Sequence, residues 1–393
     1  MNQFSTDVIN LGRTPERFDG LVNTPVFRGS TIVVNSFSEW EEFKRNGGVY
    51  RHYGRFGAAT AKSFESAISA LEGGAGSIVF PSGLSACTHA LMACVEANSH
   101  VLIADNIYGP TRNFADNILV RMGVSVEYFD STNLEALTEK INHRTSVVFI
   151  ESPGSMTFEL SDVAAISAIS HQYGAKVLVD NSWATPLLFQ PLKHGADISI
   201  QSVTKYIGGH SDILMGVATA NAETYQQLTK TGHLFGETTS PDDIYLASRG
   251  LRSLAVRLKQ HQDSALTIAR FLATHPAIKE VLHPALETSP YHDLWLRDFD
   301  GSSGVFAFYL KESEPSYVQK FFDSLQLFHI GLSWGGFESL ILPVGQAYRT
   351  HTNLPKDGYL VRLNIGLESV VDLQKDLQYA LQCAEQMRVE SVI

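Results

Sequence analysis

Residues 176–205 read KVLVDNSWATPLLFQPLKHGADISIQSVTK, and their pattern decides the fold. Two short apolar runs, KVLVD and DISIQS, each end in polar residues and are separated by a segment long enough for a helix. Three earlier runs follow the same plan: SIVFPSG, VLIADNIY and SVVFIESPGS. Continuous apolar strands that alternate with helices are typical of a parallel sheet covered on both faces. The sequence therefore predicts an α/β fold with a mostly parallel central sheet.

The polar residues that follow these five runs are the first candidates for a functional site. Ligands of parallel sheets bind outside the carboxyl ends of the strands, which meet at one edge. The candidates at that edge are Ser82, Gly83, Tyr108, Ser155, Asp180, Ser202, Thr204 and Lys205.

Composition excludes several classes of function. Of the 393 residues, 44% are hydrophobic and 18% charged, which indicates a folded chain with one large and at least one smaller domain. A net charge of −11 argues against a nucleic-acid partner. With no bilayer-length apolar run and no signal pattern, we expect a cytoplasmic protein without membrane contact. The three cysteines lack CxxC spacing and the 14 histidines lack HExxH spacing, so no disulfide framework or metal site is expected.

Changes in composition and hydrophobic periodicity divide the chain into three parts. Residues 1–60 are rich in Gly, Asn and Arg with weak periodicity, which predicts an arm that lies over another surface. Residues 61–250 begin with the helical stretch AKSFESAISALEGG and then alternate strands with helices, as expected of the large domain. Residues 251–393 combine a long helical stretch with strands such as GVFAFYL, which predicts a smaller α+β domain.

Lys205 and Asp180 have the clearest chemical roles. A lysine amine in a partly desolvated pocket has a lowered pKa and can form a Schiff base with an aldehyde cofactor. Asp180 ends an apolar run, where its carboxylate can hold a proton on a ring nitrogen, as an acid does in pyridoxal phosphate (PLP) enzymes. The alternative for Lys205 is a surface lysine at a strand end, and the alternative for Asp180 is an aspartate that caps a helix N-terminus.

The run PSGLSACTHALMACV predicts a strand-to-helix turn at a glycine. The N–H groups of Gly83 and Leu84 can then face an anion at the helix N-terminus. Ser202 and Thr204 add hydroxyl groups from another strand end, so the cofactor's phosphate suits this position. Many turns between a strand and a helix look alike, and the interpretation depends on Lys205.

Tyr108 and Arg362 complete the candidate site. The ring of Tyr108, at a strand end, can stack on a planar cofactor and its phenol can transfer protons, although a loop tyrosine often only packs. Arg362, in YLVRLNIGL, can bind a substrate carboxylate through two hydrogen bonds. The alternative for Arg362 is a solvated strand face.

Several motifs together resemble those of the cysteine/methionine-metabolism family of PLP-dependent enzymes, over essentially the whole chain. They are SVTKYIGGHSD around Lys205, VDN around Asp180, YGR at 53–55, ESPGS at 151–155, SRGLR at 248–252 and SWGGFESL at 333–340. ESPGS, RDFDGSSG, SWGGFES and RLNIGLES are most similar to the motifs of bacterial cystathionine β-lyases.

The resemblance implies the aspartate aminotransferase fold (fold type I) and a homotetramer whose active sites are shared between subunits. It also implies a role for each matching position. The catalytic residues would be Lys205 and Tyr108. PLP would be held by Lys205, Asp180, Tyr108, Gly83, Leu84, Ser202 and Thr204, and the neighbouring subunit's phosphate would be reached by Tyr53 and Arg55. The substrate would be bound by Arg362, Ser333, Trp334 and Tyr53.

The implied reaction is the α,β-elimination of L-cystathionine to homocysteine, pyruvate and ammonia, with Lys205 as anchor, base and acid. Two positions depart from the β-lyase pattern. Phe56 stands where a second arginine often follows YGR, and Asn113 stands where an acidic residue is common. A γ-lyase or γ-synthase of the same family would share the cofactor residues, and a PLP-fold protein without activity is a more remote alternative.

Overall fold

The computed structural model describes residues 4–46, 53–352, 354–355 and 357–390, with side chains up to residue 387. The described chain contains a seven-stranded sheet in the order β1-β7-β6-β5-β4-β2-β3. Its strands are β1 Gly76–Phe80, β2 His100–Ala104, β3 Ser125–Phe129, β4 Thr145–Glu151, β5 Lys176–Asp180, β6 Ile198–Ser202 and β7 Gly216–Ala220. The strands from β3 to β6 are parallel to their neighbours, whereas β7 lies antiparallel between β1 and β6.

Both faces of this sheet are buried except at the edge strand β3, as continuous apolar strands require. Leu102 and Val148 pack into a cluster on one face, while Ile103 and Phe149 pack into a cluster on the other. Helices cover the sheet, for example against β5, β6 and β7. The helices of this region are α3 Ala59–Glu72, α4 Gly83–Cys94, α5 Gly109–Phe114, α6 Leu134–Lys140, α7 Val163–Gln172, α8 Thr185–Leu188 and α9 Tyr225–Phe235. The predicted α/β fold with a mostly parallel sheet is confirmed.

A second, five-stranded sheet has the order β10-β11-β12-β9-β8. Its strands are β8 Ile278–Leu282, β9 Val305–Leu310, β10 His329–Ile330, β11 Leu340–Gly345 and β12 Tyr359–Asn364. The helices of this region are α10 Pro241–Thr274, α11 His292–Asp298, α12 Pro315–Ser324 and α13 Val370–Glu390. Helix α10 contacts α3, which packs against β1 and β7 of the large sheet, and it also contacts β8 and β9, so it links the regions of the two sheets. The predicted boundary near residue 250 falls within this helix.

The first part of the chain contains α1 Phe4–Asn10 and α2 Phe37–Arg45. Val8 of α1 is fully buried, and Arg252 of α10 donates hydrogen bonds to the carbonyl oxygens of Val8 and Leu11. The start of the predicted arm is therefore packed on its own chain, while its residues 47–52 lie outside the described residues. Among the described residues, no helix is both long and apolar enough to cross a lipid bilayer.

Candidate active site

Lys205 lies where the two sheets meet. It follows β6 by three residues, and its backbone N–H donates to the carbonyl oxygen of Ser202, which turns the chain at the strand end. Its Nζ donates to Oγ of Ser333, at 2.6 Å, and lies 5.0 Å from the ring centroid of Trp334. Burial, aided by the charge of Arg362, lowers the pKa of Lys205 to about 8. An amine with this pKa can accept and donate a proton near neutral pH.

Gly335 allows the segment with Ser333 and Trp334 to come this close to the lysine. Its φ is +87°, and a Cβ at this position would lie 3.0 Å from Cα of Lys205. Any side chain would therefore force the two segments apart, and would also strain the backbone.

Arg362, in β12, is buried and supports the same segment. Its Nη2 donates to the carbonyl oxygens of Leu332 and Ser333, at 2.7 and 3.2 Å, and burial lowers the pKa of its guanidinium to about 10. Both faces of β12 are covered, so the alternative of a solvated strand face does not apply to Arg362. The buried guanidinium still has donors for a carboxylate.

Asp180 is a buried carboxylate whose two oxygen atoms differ. Oδ1 accepts hydrogen bonds from Oγ and N of Ser182, at 2.6 and 3.0 Å, whereas Oδ2 faces only the thiol of Cys87, at 3.7 Å. Burial raises the pKa of Asp180, while the hydrogen bonds from Ser182 oppose that change. Oγ of Ser182 also accepts the N–H of Ser202, at 2.7 Å, and so joins the ends of β5 and β6. Oδ2 keeps capacity to accept a stronger donor, such as a protonated ring nitrogen.

The N-terminus of α4 lies beside the end of β6. Ser82 caps the helix by accepting the N–H of Ser85, which leaves the N–H groups of Gly83 and Leu84 without an acceptor inside the helix. A Cβ on Gly83 would lie 2.6 Å from Oγ of Ser202, so glycine is required for this approach. The predicted anion site thus has both helix N–H groups and the Ser202 hydroxyl.

Thr204 has a local structural role in the described chain. Its hydroxyl accepts the N–H of Met215 and donates to the carbonyl oxygen of the same residue, at 3.0 and 3.2 Å. The predicted contact of Thr204 with a phosphate would therefore use a hydroxyl that already has two partners.

Tyr108 is brought to the site through a residue that the sequence analysis did not single out. Its backbone N–H donates to Oε2 of Glu151, the last residue of β4, at 2.7 Å. Its ring is half-exposed, and burial together with nearby Cys87 and Glu151 raises the pKa of the phenol. Ser182 and Glu151 are the functional candidates that the sequence analysis missed, although Glu151 begins the ESPGS motif and Ser182 directly follows VDN.

Tyr53 and Arg55 do not join the Lys205 cluster within this chain. Tyr53 is exposed and its backbone pairs with Thr31, and Arg55 donates to the carbonyl oxygen of His233, at 3.0 Å. Their predicted role concerns a neighbouring subunit. Contacts within one chain do not test that role, which stays a prediction.

The two positions that depart from the β-lyase pattern also have partners of their own. The ring of Phe56 packs edge-on against His233, with ring centroids 4.7 Å apart, and lies under the guanidinium of Arg55. The side chain of Asn113 accepts a hydrogen bond from Nδ2 of Asn117, at 2.6 Å. Neither side chain brings a charge to the substrate side of the site.

The residues present fit the PLP that the resemblance implies. A lysine with a lowered pKa suits its aldehyde, Oδ2 of Asp180 suits its ring nitrogen, and the free N–H groups at the start of α4 suit its phosphate. Among the described residues, no group of three or more His, Cys, Asp or Glu side chains could hold a metal ion.

Comparisons with known proteins agree with this arrangement. The cystathionine β-lyase MetC of Escherichia coli is 40% identical over 385 residues, covering 95% of this chain and 97% of that protein. The L-alanine/L-glutamate racemase of Wolbachia pipientis is 38% identical, with 95% and 96% covered. The crystal structure of metB from Corynebacterium glutamicum is 31% identical, covers 97% of this chain and 98% of that chain, and superposes with a TM-score of 0.90.

The family assignment rests on nearly the full length of the chain. A model of the Cys/Met metabolism PLP-dependent enzymes matches residues 5–382. That match includes both sheets and every residue of the Lys205 cluster. The chain therefore belongs to the Cys/Met metabolism PLP-dependent enzyme family, and pyridoxal phosphate is its cofactor.

Proposed function

We propose that this protein is a cystathionine β-lyase, which cleaves L-cystathionine by α,β-elimination to homocysteine, pyruvate and ammonia in methionine biosynthesis. One observation carries the proposal: the amine of Lys205, with its pKa lowered to about 8, contacts Ser333 at 2.6 Å beside the buried cation of Arg362. This arrangement combines a proton-transfer group with a carboxylate-binding group, as an amino-acid lyase needs. The 40% identical MetC of Escherichia coli supports the same reaction.

Each side chain of the cluster has a proposed role toward the cofactor. Lys205 would hold its aldehyde carbon, and Asp180 would hold a proton on its ring nitrogen through Oδ2. Gly83, Leu84 and the hydroxyl of Ser202 would bind its phosphate, with Thr204 beside them, and Tyr108 would stack on its ring. When bound, PLP supplies an electron sink for the negative charge that develops at the substrate Cα.

Lys205 would move protons at two atoms of the substrate. Its neutral amine takes the proton from Cα, and the resulting ammonium donates a proton to the departing sulfur. A pKa near 8 suits both steps, because neither protonation state is strongly disfavoured at neutral pH. The hydroxyl of Ser333, which accepts a hydrogen bond from Nζ, orients the amine between the two steps.

Arg362 would bind the substrate α-carboxylate, with Ser333 and Trp334 beside it. The guanidinium is already fixed by the carbonyl oxygens of Leu332 and Ser333, so substrate binding would order few further bonds. A buried cation also attracts a carboxylate more strongly than an exposed one does.

We further propose that the enzyme acts in the cytoplasm as a homotetramer in which Tyr53 and Arg55 complete the active site of a neighbouring subunit. Both residues stand apart from the Lys205 cluster of their own chain, and Arg55 has only one hydrogen bond among the described residues, which supports a role across an interface. In this proposal, residues 1–60 form the arm, 61–250 the large PLP-binding domain and 251–393 the small domain. We expect no nucleic-acid or membrane partner.

The experiment that tests the proposed function identifies the keto acid released from L-cystathionine by the purified protein with added PLP. Pyruvate with homocysteine supports the β-lyase. 2-Oxobutyrate with cysteine would mean a γ-lyase, and absence of turnover together with absence of PLP binding would mean a PLP-fold protein without activity. Lys205→Ala should abolish keto-acid release and keep the fold, and a variant with near wild-type turnover would remove Lys205 from the mechanism.

Amino-acid racemisation is a second candidate function, favoured by the 38% identical racemase of Wolbachia pipientis. Removal and return of the Cα proton needs the same lysine as elimination, but no leaving group. L-Alanine has no leaving group at Cβ and therefore separates the two activities. Formation of D-alanine from L-alanine, absent in Lys205→Ala, would support racemisation; unchanged L-alanine would rule it out.

A further inference from the structure

Glu151 and Asp180 stand side by side at the edge of the large sheet. Each is the last residue of its strand, and the two residues are paired in register between β4 and β5. Residues in register on neighbouring parallel strands point to the same face, with backbones about 4.8 Å apart. The carboxyl group of Glu151 is therefore next to the proposed partner of the cofactor's ring nitrogen.

Glu151 also holds the backbone of Tyr108. Oε2 accepts the N–H of Tyr108 at 2.7 Å, across 43 residues of sequence. The phenol of Tyr108 has no hydrogen bond within the part of the chain that the structure describes, so its ring is oriented through its backbone. The bond from Glu151 is thus the direct polar link between the end of β4 and the half-exposed ring.

Other anchors of the same loop act on residues before Tyr108 and on its carbonyl oxygen, which accepts the N–H groups of Thr111 and Arg112 at 3.0 and 3.1 Å. The carbonyl oxygen of Asp105 accepts a hydrogen bond from Arg112, and that of Asn106 accepts the N–H of Ser155. These contacts fix the path of the loop after β2. Glu151 supplies the hydrogen bond to the N–H of Tyr108 and so ties this residue to the end of β4.

A neutral Glu151 is compatible with this task. Burial and the neighbouring charge of Asp180 raise the pKa of Glu151 well above its usual range. A protonated carboxyl group still accepts an N–H through its carbonyl oxygen. It also adds no negative charge beside Asp180, so the charge at the ring nitrogen would be that of Asp180 alone.

We propose that Glu151 is a positioning residue for the cofactor. By holding the backbone of Tyr108, it sets the distance between the Tyr108 ring and the PLP ring that Lys205 and Asp180 would bind. The inference rests on the proposed function, because it requires PLP beneath Tyr108. Glu151 acts through Tyr108, and its contribution to PLP binding therefore depends on the phenol ring.

A double-mutant cycle tests this dependence. PLP dissociation constants are measured by absorbance titration of the full chain after cofactor removal, for wild type, Glu151→Ala, Tyr108→Ala and the double variant. We expect Glu151→Ala to weaken PLP binding about tenfold when Tyr108 is present, as for loss of one hydrogen bond. In the Tyr108→Ala background, the same change should alter the constant by less than about twofold.

The conservative variant and a remote control sharpen the test. Glu151→Gln keeps a carbonyl acceptor and resembles the neutral acid, so its PLP constant should stay within about twofold of wild type. Glu139→Ala, at an exposed position of α6, should leave the constant unchanged. If Glu151→Ala does not fold, Glu151→Met replaces it, because methionine keeps the side-chain length and removes the acceptor.

The outcomes separate this inference from the proposed function. Equal weakening by Glu151→Ala in both backgrounds would overturn the inference, since Glu151 would then act on Asp180 or on stability. A Glu151→Gln variant as weak as Glu151→Ala would also overturn it, because the charge would be required. Failure of the wild-type chain to bind PLP would refute the proposed function instead.

Discussion

Replacing Lys205 with methionine should stabilise the cofactor-free protein at neutral pH while it removes the proposed catalytic amine. Burial is the main reason why the pKa of Lys205 falls from 10.5 to about 8. The charged amine is therefore less favourable in the folded chain than in the unfolded chain. At about 1.4 kcal/mol per pH unit, the difference corresponds to about 3 kcal/mol. Because Lys205 is only partly buried by surface area, solvent reduces the expected gain to about 2 kcal/mol.

The sign of the effect fixes its pH dependence. Below the folded-state pKa of about 8, Lys205 is charged in both states and the full cost is present. As the pH rises from 8 towards 10.5, the folded chain loses the proton before the unfolded chain does, and the cost disappears. The methionine variant should therefore be more stable than wild type at pH 7 and nearly equal to it at pH 10. The lost hydrogen bond to Ser333 changes little, because that hydroxyl is exposed to water.

The free energy of unfolding is measured by urea denaturation of both proteins at pH 7 and pH 10, without cofactor and at one protein concentration. Lys320→Met, at an exposed position of α12, is the control and should change stability little at either pH. The reasoning is refuted if Lys205→Met is less stable than wild type at pH 7. It is also refuted if the difference between the two proteins is the same at both pH values.

Three further substitutions test the proposed roles of other residues. Asp180→Ala should weaken PLP retention and change the cofactor's absorption spectrum, and an unchanged spectrum would contradict its role at the ring nitrogen. Arg362→Ala should raise KM for L-cystathionine about 10- to 100-fold, as for loss of a charge-assisted carboxylate contact, whereas an unchanged KM would assign the carboxylate to another residue. Arg55→Ala should weaken PLP binding across the proposed subunit boundary, and a PLP titration identical to that of wild type would argue against a shared site.

The central sheet could be predicted from sequence because its strands are continuous apolar runs. The two strands that were missed lack this signal. In β3, Ser125–Phe129, exposed and partly buried residues alternate at the sheet edge, and β7, Gly216–Ala220, consists mostly of small residues. Helix α10 begins at Pro241, earlier than the long helical stretch that was predicted to open the small domain. Its start is marked by Ser240 as N-cap and by a proline in the first turn.

The site was predicted where a residue's position in a strand determines its place in the molecule. Asp180 ends β5 and Lys205 follows β6 by three residues, so the edge of the sheet brings them together. Ser182 and Glu151 act by contacts that bridge strands. One example is the hydrogen bond between Ser182 and Ser202, which are 20 residues apart in the sequence. Such contacts depend on strand order and register, which a single sequence does not determine.

The position of Lys205 between the two sheets connects the stability of the fold with its chemistry. Lys205 follows a strand of the large sheet, whereas Ser333 and Arg362 belong to the region of the small sheet. A substrate held by Lys205 and Arg362 would therefore be bound correctly only when the two sheets keep a fixed separation. Helix α10 contacts the small sheet directly and the large sheet through α3, and the segment around Gly335 lies close to the lysine backbone itself. The same close packing removes water from the amine, which destabilises its charged form and therefore lowers its pKa. The cost to the stability of the fold and the proposed catalytic use of the amine thus have one physical cause.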